Sequence, residues 1–184
     1  MERFRKKFED DPGTFMQVDR ATKGETETIL FNIDYEGSIN KDKTAVLRVF
    51  AKVFYNHLGF FGSNLKVAML EQYITQQGKM DEFCRLIEEK KGKPWTEVRK
   101  AFAFNGKFIK PALAEALDIS EEDANNLFNY KSATELSVSQ LVEDINAYVS
   151  TKPANFRLLF MVDEAGQYVG TDTDMLLNLQ SLVE

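Results

Sequence analysis

The stretch FRLLFMVDEAGQYVG, residues Phe156–Gly170, decides the fold class of this chain. Its apolar run ends at Val162, and two adjacent carboxylates, Asp163 and Glu164, follow directly. A short apolar run that is bounded by turn residues is typical of a buried strand. In parallel α/β sheets, ligands bind in the crevice beyond the carboxyl ends of the strands. We therefore expect a strand that carries two acids to the edge of such a crevice.

A second apolar segment, TETILFNIDYEG at Thr26–Gly37, also predicts a buried strand. Neither segment shows an alternating polar face, which indicates a parallel sheet that is covered on both faces. Asp34 follows the apolar part of this segment and could approach the same crevice as Asp163. A solvent-facing turn acid explains Asp34 equally well.

Between the two segments, from about Lys43 to Ser150, apolar residues recur at helical spacing and predict a block of helices. Gly59 suits the end of one helix, and Pro94 suits the first turn of a short one. SEED at Ser120–Asp123 and SVSQ at Ser137–Gln140 are typical of capping boxes at helix starts. Helices are therefore expected to follow both serines.

The chain thus divides into three parts. Residues 1–42 hold an N-terminal helix, which is expected to stop before Pro12, and the first strand. Residues 43–150 form a large helical insertion. Residues 151–184 hold the second strand and a last helix, which TDTD at Thr171–Asp174 caps. This outline predicts an α/β fold, a parallel sheet with a large helical insertion.

Composition narrows the classes of function. Hydrophobic residues make up 43% of the 184 residues, enough for a core, while the longest apolar run is far too short to cross a bilayer. The N-terminal segment lacks the apolar stretch of a signal peptide, and Cys84 is the single cysteine, so a cytoplasmic location is expected. The net charge of −6 argues against this segment as a strong non-specific DNA binder, because phosphate contacts need clustered Lys and Arg.

An apolar strand that ends in Asp-Glu is the pattern of a Walker B motif, and the chemistry accounts for that order. Magnesium prefers oxygen ligands and keeps several waters, so one carboxylate, Asp163, suffices either directly or through water. Glu164 can then orient or deprotonate an attacking water, and Gly166 would let the backbone turn beside the site. A strand that ends in an acidic turn by chance is the alternative.

A Walker B acid works with a phosphate loop of the pattern G-x-x-x-x-G-K-[ST], and the sequence contains none. GFFGSN at Gly59–Asn64 lacks the required Lys-Ser/Thr pair and follows a helix instead of a strand. NGKF at Asn105–Phe108 has a Gly-Lys pair without a glycine at the required spacing before it. Both segments are interpreted as connections between helices.

Two segments resemble a known family. LLFMVDEAGQYVGTDTDMLLNLQSLVE at Leu158–Glu184 resembles the Walker B region of the P-loop ATPases of BREX phage-defence systems, the BrxC/PglY family. ETILFNIDYEG at Glu27–Gly37 resembles the core strand that precedes it, and between the two only a helical outline is shared. The resemblance implies an AAA+-like P-loop fold, and a larger parent protein whose phosphate loop lies upstream of the first strand seen here.

The resemblance also implies a site and a setting. ATP and Mg²⁺ would be the cofactors, with Asp163 on the magnesium side, through water, and Glu164 as the catalytic acid that activates water. Other BREX components and further copies of the parent protein are the expected partners. DNA contact would come through the assembly and not through this segment, and no membrane is expected to be involved.

A function from another class stays open, namely a non-catalytic helical interaction module on a small sheet. A phosphate-loop motif just upstream in the reading frame would favour the ATPase, and a stop codon there would favour the module. His57 is interpreted as a residue near a helix C-terminus, where it favours the helix dipole, and Cys84 as a core thiol. Gln167 could orient water or a phosphate oxygen, or face solvent in a turn.

Overall fold

The computed structural model describes residues 6–7, 11–37, 44–130 and 137–183. Within these residues it contains one two-stranded sheet and many helices. Strand β1 (Thr26–Asn32) lies parallel to β2 (Arg157–Asp163), and Asn32 is the register partner of Asp163. The parallel pairing predicted from the two apolar segments is confirmed, and the fold is α/β in this coarse sense.

Helices make up most of the described chain, and each of those described is too short or too polar to cross a bilayer. They are α1 (Pro12–Thr22), α2 (Ile33–Glu36), α3 (Ala45–His57), α4 (Leu65–Gln76), α5 (Met80–Lys91), α6 (Trp95–Val98), a 3-10 helix (Arg99–Asn105), α7 (Gly106–Leu117), α8 (Glu121–Asn129), α9 (Val138–Ser150), α10 (Ala165–Val169) and α11 (Thr173–Val183). All helices from α3 to α9 lie between the two strands in sequence.

The structure describes the N-terminal segment only in part. Most of the expected N-terminal helix falls on residues 1–5 and 8–10, which lie outside the described residues. Lys6 and Lys7 are helical and Asp11 is not. Pro12 begins a further helix, α1, and the Asp11 side chain caps this helix by accepting a hydrogen bond from Thr14 N at 3.1 Å. Proline suits this place because the first N–H groups of a helix have no partner within it.

Strand β1 is shorter than the predicted segment Thr26–Gly37. Asn32 Oδ1 accepts a hydrogen bond from Tyr35 N at 3.0 Å, which caps α2 and turns the chain out of the strand. Ile33, the first residue of α2, is fully buried. The apolar residue after the strand therefore belongs to a short buried helix and not to more strand.

Both predicted capping serines cap their helices. Ser120 Oγ accepts a hydrogen bond from Asp123 N at 3.0 Å, and Ser137 Oγ accepts one from Gln140 N at 3.1 Å. These bonds satisfy N–H groups that have no partner within the helix, which is why serine marks helix starts so often. The starts of α8 and α9 are therefore confirmed.

The NGKF segment, interpreted above as a connection between helices, instead begins helix α7 at Gly106. A Cβ atom on Gly106 would lie only 2.9 Å from Phe128 Cζ, so glycine lets the start of α7 approach α8 closely. The other glycine-containing segment, Gly59–Asn64, is a helix connection as expected, between α3 and α4.

Two hydrophobic cores fill the described structure. The first lies against the sheet, where the ring centroid of Phe50 in α3 is 5.3 Å from that of Phe31 and 5.4 Å from that of Phe160. The second lies within α4–α8, where the Trp95 ring meets the Phe83 ring edge-on, with centroids 5.0 Å apart. The helical block thus has an interior of its own.

A buried carboxylate ties the second core together. Glu71 in α4 is 1% exposed. It accepts hydrogen bonds from Trp95 Nε1 at 2.6 Å, from Arg99 Nη1 at 2.9 Å and from Phe61 N at 2.6 Å. A buried charge is tolerated when it is paired and hydrogen-bonded in this way. Glu71 thereby joins α4 to the α3–α4 connection and to the segment that begins at Trp95.

The sheet has one buried face and one exposed face. Ile29 and Phe31 point into the first core. The opposite face carries Leu30, Leu159 and Met161, which are 72%, 45% and 52% exposed. The prediction of a sheet covered on both faces is therefore wrong for the described residues. Both faces are apolar in sequence, but only one of them is packed.

Candidate functional site at the carboxyl end of the sheet

Asp163 is the last residue of β2 and is exposed to solvent. Its Oδ1 atom accepts a hydrogen bond from Glu164 N at 2.9 Å. Among the described residues its second oxygen, Oδ2, makes no hydrogen bond, so it can take a ligand or a water. The side chain therefore stands at the carboxyl end of a parallel strand, where α/β sheets bind ligands.

Glu164 follows the strand in an unusual backbone conformation. Its φ of 60° and ψ of 19° place it in the left-handed region, directly before α10. Residues other than glycine reach this region at a cost of about 1–2 kcal/mol. The sharp turn predicted at Gly166 therefore lies at Glu164 instead, and Gly166 is part of α10. Backbone strain of this kind clusters at functional sites.

Asn32 is the residue that the sequence reasoning missed. It is the register partner of Asp163, so the two residues lie side by side at the carboxyl ends of neighbouring strands. Asp34 lies exposed in the first turn of α2, which agrees with its interpretation as a turn acid. One sequence signal could have pointed to Asn32. An asparagine at the end of an apolar strand often caps a following helix, and such a residue marks where the strand ends.

The helices that follow the two strands contact each other and hold the strand ends together. Tyr168 in α10 is buried, and a Cβ atom on Gly37 would lie 2.6 Å from Tyr168 Cε2. Glycine at position 37 therefore lets the chain after α2 pass close to α10. Gln167 lies in α10 and is exposed, which leaves its side chain accessible from solvent.

Asp163 and Glu164 are better suited to a magnesium ion that binds together with a phosphate group than to a permanently bound ion. No cluster of three or more His, Cys, Asp or Glu side chains that could hold a metal occurs in the described part of the chain. Proteins commonly hold Mg²⁺ by one or two carboxylates, with waters and substrate phosphates as the other ligands. A single exposed carboxylate, Asp163, fits this mode.

Basic residues line a cavity beside α2. The cavity has a volume of about 270 Å³, and Gly37, Arg48, Lys52 and Ser63 are among its lining residues. Lys52 Nζ is already engaged, since it lies 2.7 Å from the Glu36 carboxylate and donates to the Glu36 carbonyl at 3.1 Å. The cavity therefore holds positive charge that is partly neutralised from within the chain.

At the other end of the sheet, three polar side chains meet around Glu27 in β1. Its Oε2 atom lies 2.7 Å from His57 Nε2 and accepts from Tyr148 Oη at 2.6 Å, and its Oε1 accepts from Lys152 Nζ at 2.8 Å. The hydrogen bonds from Lys152, Tyr148 and His57 hold the pKa of the Glu27 carboxyl at about 2, below its usual 4.5. The same pairing raises the pKa of Lys152.

This second cluster has a structural explanation. The one carboxylate joins β1 to the end of α3, to α9 and to the segment before β2, and it uses both of its oxygens to do so. His57 was expected to interact favourably with the dipole at the C-terminus of its helix, and it is the last residue of α3. Its contact with Glu27 is an additional role that sequence spacing does not reveal.

Cys84 lies in α5, half-buried against the second core. Burial raises the pKa of its thiol, with the carboxylates of Asp81 and Glu71 adding to the effect. A raised pKa keeps the thiol protonated and therefore weakly nucleophilic. This agrees with the interpretation of Cys84 as a core thiol.

No protein-family model matches the sequence, and no solved structure matches it. The strongest group is the one at the carboxyl end of the sheet, Asp163, Glu164 and Asn32. It combines an exposed carboxylate, a strained neighbour and the position in which parallel sheets bind ligands.

Proposed function

We propose that this chain is the part of a BREX-type P-loop ATPase that carries the acids acting on Mg-ATP. One observation carries the proposal. Asp163 ends a strand of a parallel sheet with its carboxylate exposed, and Glu164 follows it in a strained turn. This arrangement supports a Walker B role because the sheet holds the first acid at the ligand-binding edge and the turn separates it from the second.

In this proposal Asp163 would hold Mg²⁺ through water, and the ion would supply positive charge to the phosphate oxygens when bound. The hydrogen bond from Glu164 N to Asp163 Oδ1 fixes the orientation of the first carboxylate. Glu164 orients the attacking water and accepts its proton. Asn32, beside Asp163 in the register, offers an amide that can contact the same water or a phosphate oxygen.

ATP binding in this proposal requires a phosphate loop from the parent protein, because the present sequence has no G-x-x-x-x-G-K-[ST] segment. The setting proposed with it is cytoplasmic, with self-association of the parent and contacts to other BREX components. Contact with DNA would be made by the assembly. The net charge of −6 supports placing that contact outside this segment.

The test uses the protein encoded by the whole reading frame. Its steady-state ATP hydrolysis is measured for the wild type, for Glu164→Gln and for a matched control, Glu122→Gln, which changes another exposed glutamate in α8. We expect the first substitution to lower turnover about 10²–10⁴-fold, the usual contribution of an acid–base group. We expect the control to hydrolyse ATP at the wild-type rate. Equal rates for all three proteins would refute the assignment of Glu164.

A non-catalytic helical interaction module is the second candidate. The observation that favours it is the separate core of α4–α8, which gives the helical block an interior independent of the sheet. A reading frame without a phosphate loop upstream, together with no measurable hydrolysis, would favour this function over the ATPase.

A further inference from the structure

Positive charge is concentrated in residues 90–110, called the basic segment below. This segment holds seven of the 23 basic residues of the chain and one of its 29 acidic residues, although the chain as a whole has a net charge of −6. It comprises the end of α5, the short helix α6, the 3-10 helix and the start of α7. The net charge is therefore an average over a cationic segment and a strongly acidic remainder.

Three lysines of the basic segment, Lys91, Lys100 and Lys107, form no ion pair with any described residue. Lys91 Nζ and Lys107 Nζ lie 4.5 and 4.9 Å from the centre of the Phe108 ring. Two like charges held at one ring repel each other, and an anion beside them would relieve that repulsion. The other basic residues of the segment already have partners within the chain: Lys90 with Glu115, Lys93 with Glu97, Arg99 with Glu71 and Lys110 with Asn125.

An exposed aromatic ring lies among these lysines in the sequence. Phe104, in the 3-10 helix, is 90% exposed, more than any other large apolar residue of the described chain. Lys100 precedes it by four residues, Lys107 follows it by three, and both lysines are exposed. At this exposure the ring projects from the surface and does not lie in a cleft. A single exposed apolar residue is common, but here it is flanked by lysines that have no anionic partner.

Unpaired lysines and an exposed aromatic ring are the two features with which proteins bind single-stranded nucleic acid. Lysines contact the phosphates of the backbone, and an unpaired base stacks on the ring. In a duplex the bases are paired and stacked on one another, so a projecting phenylalanine contributes little there. The combination therefore favours a single strand over a duplex.

We propose that the basic segment binds single-stranded nucleic acid, with a base stacked on Phe104 and backbone phosphates at Lys91, Lys100 and Lys107. This binding does not rest on the proposed function, because none of the four residues belongs to the site at Asp163. It is also separate from the DNA contact proposed for the assembly, which would lie outside this chain.

A protein surface fits the basic segment less well, whether it belongs to a separate partner or to another part of the same polypeptide. Lysine is depleted in interfaces between proteins, and the strongest anchor residues of such interfaces lie in pockets that exclude water. The projecting ring of Phe104 offers no such pocket. Surfaces that bind nucleic acid are much more positively charged than those that bind protein. An acidic polypeptide is the alternative that the experiment must separate.

The probes are fluorescent thymidine and uridine homopolymers of about ten nucleotides, and a duplex of the same length. Fluorescence anisotropy measures their binding to the chain. We expect a Kd of about 1–100 µM for the single strands at low salt, and weaker binding of the duplex. A preference between the two single strands would identify DNA or RNA as the source, since only RNA carries the 2′-hydroxyl. Phe104→Ala should raise the Kd about tenfold. Tyr35→Ala, a control at another ring, which is 86% exposed, should leave the Kd unchanged.

The salt dependence of the Kd tests the phosphate contacts. Lys100→Gln and Lys107→Gln should each weaken binding and reduce the slope of log Kd against log salt by about 0.7, the contribution of one phosphate contact to a single strand. Lys23→Gln, at an exposed lysine directly after α1, changes the net charge equally and should leave the slope unchanged. Retention of the amide NMR spectrum shows that each variant is folded.

Four results would overturn the proposal. The first is no binding of either single strand below about 1 mM at low salt, and the second is a Kd that Phe104→Ala does not change. The third is a polyglutamate peptide of the same charge that binds as tightly as the single strands. The fourth is protection of Lys100 and Lys107 from amine-reactive labels in the protein encoded by the whole reading frame, relative to the isolated chain and without nucleic acid, because another part of the polypeptide would then cover them. None of these results bears on the ATPase proposal, which depends on Asp163 and Glu164 acting on nucleotide.

Discussion

Lys152 Nζ lies 2.8 Å from Glu27 Oε1, and this ion pair joins the segment before β2 to the start of β1. The other oxygen of Glu27 is held by Tyr148 and His57. One carboxylate therefore locks the amino end of the sheet to α3 and α9. The opposite end of the sheet, where Asp163 stands, is left open to solvent.

The first prediction concerns acid stability. The pKa of Glu27 is depressed from 4.5 to about 2 in the folded chain, so the native state favours the ionised form. The resulting stabilisation is present above about pH 4.5 and is lost as the pH falls toward about 2. Glu27→Gln should therefore lower the urea midpoint at neutral pH, and the difference from the wild type should shrink steadily through this window.

Glu89→Gln provides the control for that measurement. Glu89 pairs with Arg85 on the exposed surface of α5, where an ion pair contributes little to stability. Its urea midpoint should follow the wild type at every pH. A Glu27→Gln variant whose deficit does not change between neutral pH and about pH 2 would contradict the assigned role of the carboxylate.

The second prediction concerns Glu71. Glu71→Ala would leave Arg99, the indole N–H of Trp95 and the backbone N–H of Phe61 without their acceptor inside the protein. Removal of one partner of a buried ion pair typically costs about 3–5 kcal/mol. We expect a loss of that size in the free energy of unfolding, measured by urea denaturation.

A milder substitution tests the hydrogen bond between Trp95 and Glu71 separately from the ion pair. Trp95→Phe removes one hydrogen-bond donor but keeps an aromatic ring, and should cost about 1–3 kcal/mol. Its effect should be non-additive with Glu71→Ala, because both variants break the same hydrogen bond. Strict additivity in the double variant would show that the two side chains act independently.

The third prediction concerns the strained turn. Glycine reaches the left-handed region without the steric cost that Glu164 meets there. Glu164→Gly should therefore raise the free energy of unfolding by about 0.5–1 kcal/mol, after the larger chain entropy of glycine is subtracted. Glu164→Val should lower it, because a branched side chain is least tolerated at positive φ. A Glu164→Gly variant that is less stable than the wild type would show that the backbone at Glu164 is not strained.

The fourth prediction separates the two acids in the full-length parent protein. Asp163→Asn weakens the metal side of the site, so both Mg-ATP affinity and turnover should fall. Glu164→Gln keeps the shape but removes the base, so ATP should stay bound while turnover falls about 10²–10⁴-fold. Nucleotide affinity and single-turnover hydrolysis are measured for both variants. Identical defects in the two would argue against distinct roles.

The fifth prediction concerns the chain by itself. It should bind Mg-ATP weakly or not at all, because the backbone amides and the lysine of a phosphate loop are absent from its sequence. A thermal shift titration with Mg-ATP measures this. Micromolar binding would mean that the phosphates have a different site, for which the cavity beside Arg48 and Lys52 would be the first place to look.

Local sequence signals predicted the elements of this fold well. The two apolar segments became parallel strands, and Ser120 and Ser137 cap the helices that they were expected to start. These features depend on a few neighbouring residues, and so they can be recognised from a short window of sequence. Gly106 was misjudged, and the helix that begins at Pro12 was not predicted, because the same residue type can either begin or interrupt a helix.

Features that depend on distant residues were not predictable in this way. Which residue lies beside Asp163 follows from the strand register, and register is set by packing over the whole sheet, so Asn32 was overlooked. The contact between Glu27 and Lys152 joins positions 125 residues apart. The exposure of Leu30 was missed because an apolar residue on a strand does not reveal whether anything covers it.

The separation in sequence between the two strands has a kinetic consequence. The core of α4–α8 draws its residues from Val67–Phe128, whereas β1 and β2 meet only after a loop of more than a hundred residues has closed. Contacts between distant residues form slowly because the closure entropy must be overcome first. We therefore expect the α4–α8 core to form early and the two strands to pair last. The juxtaposition of Asn32 with Asp163 would then be a late event of folding, and a partly folded chain would possess the helices but not the site.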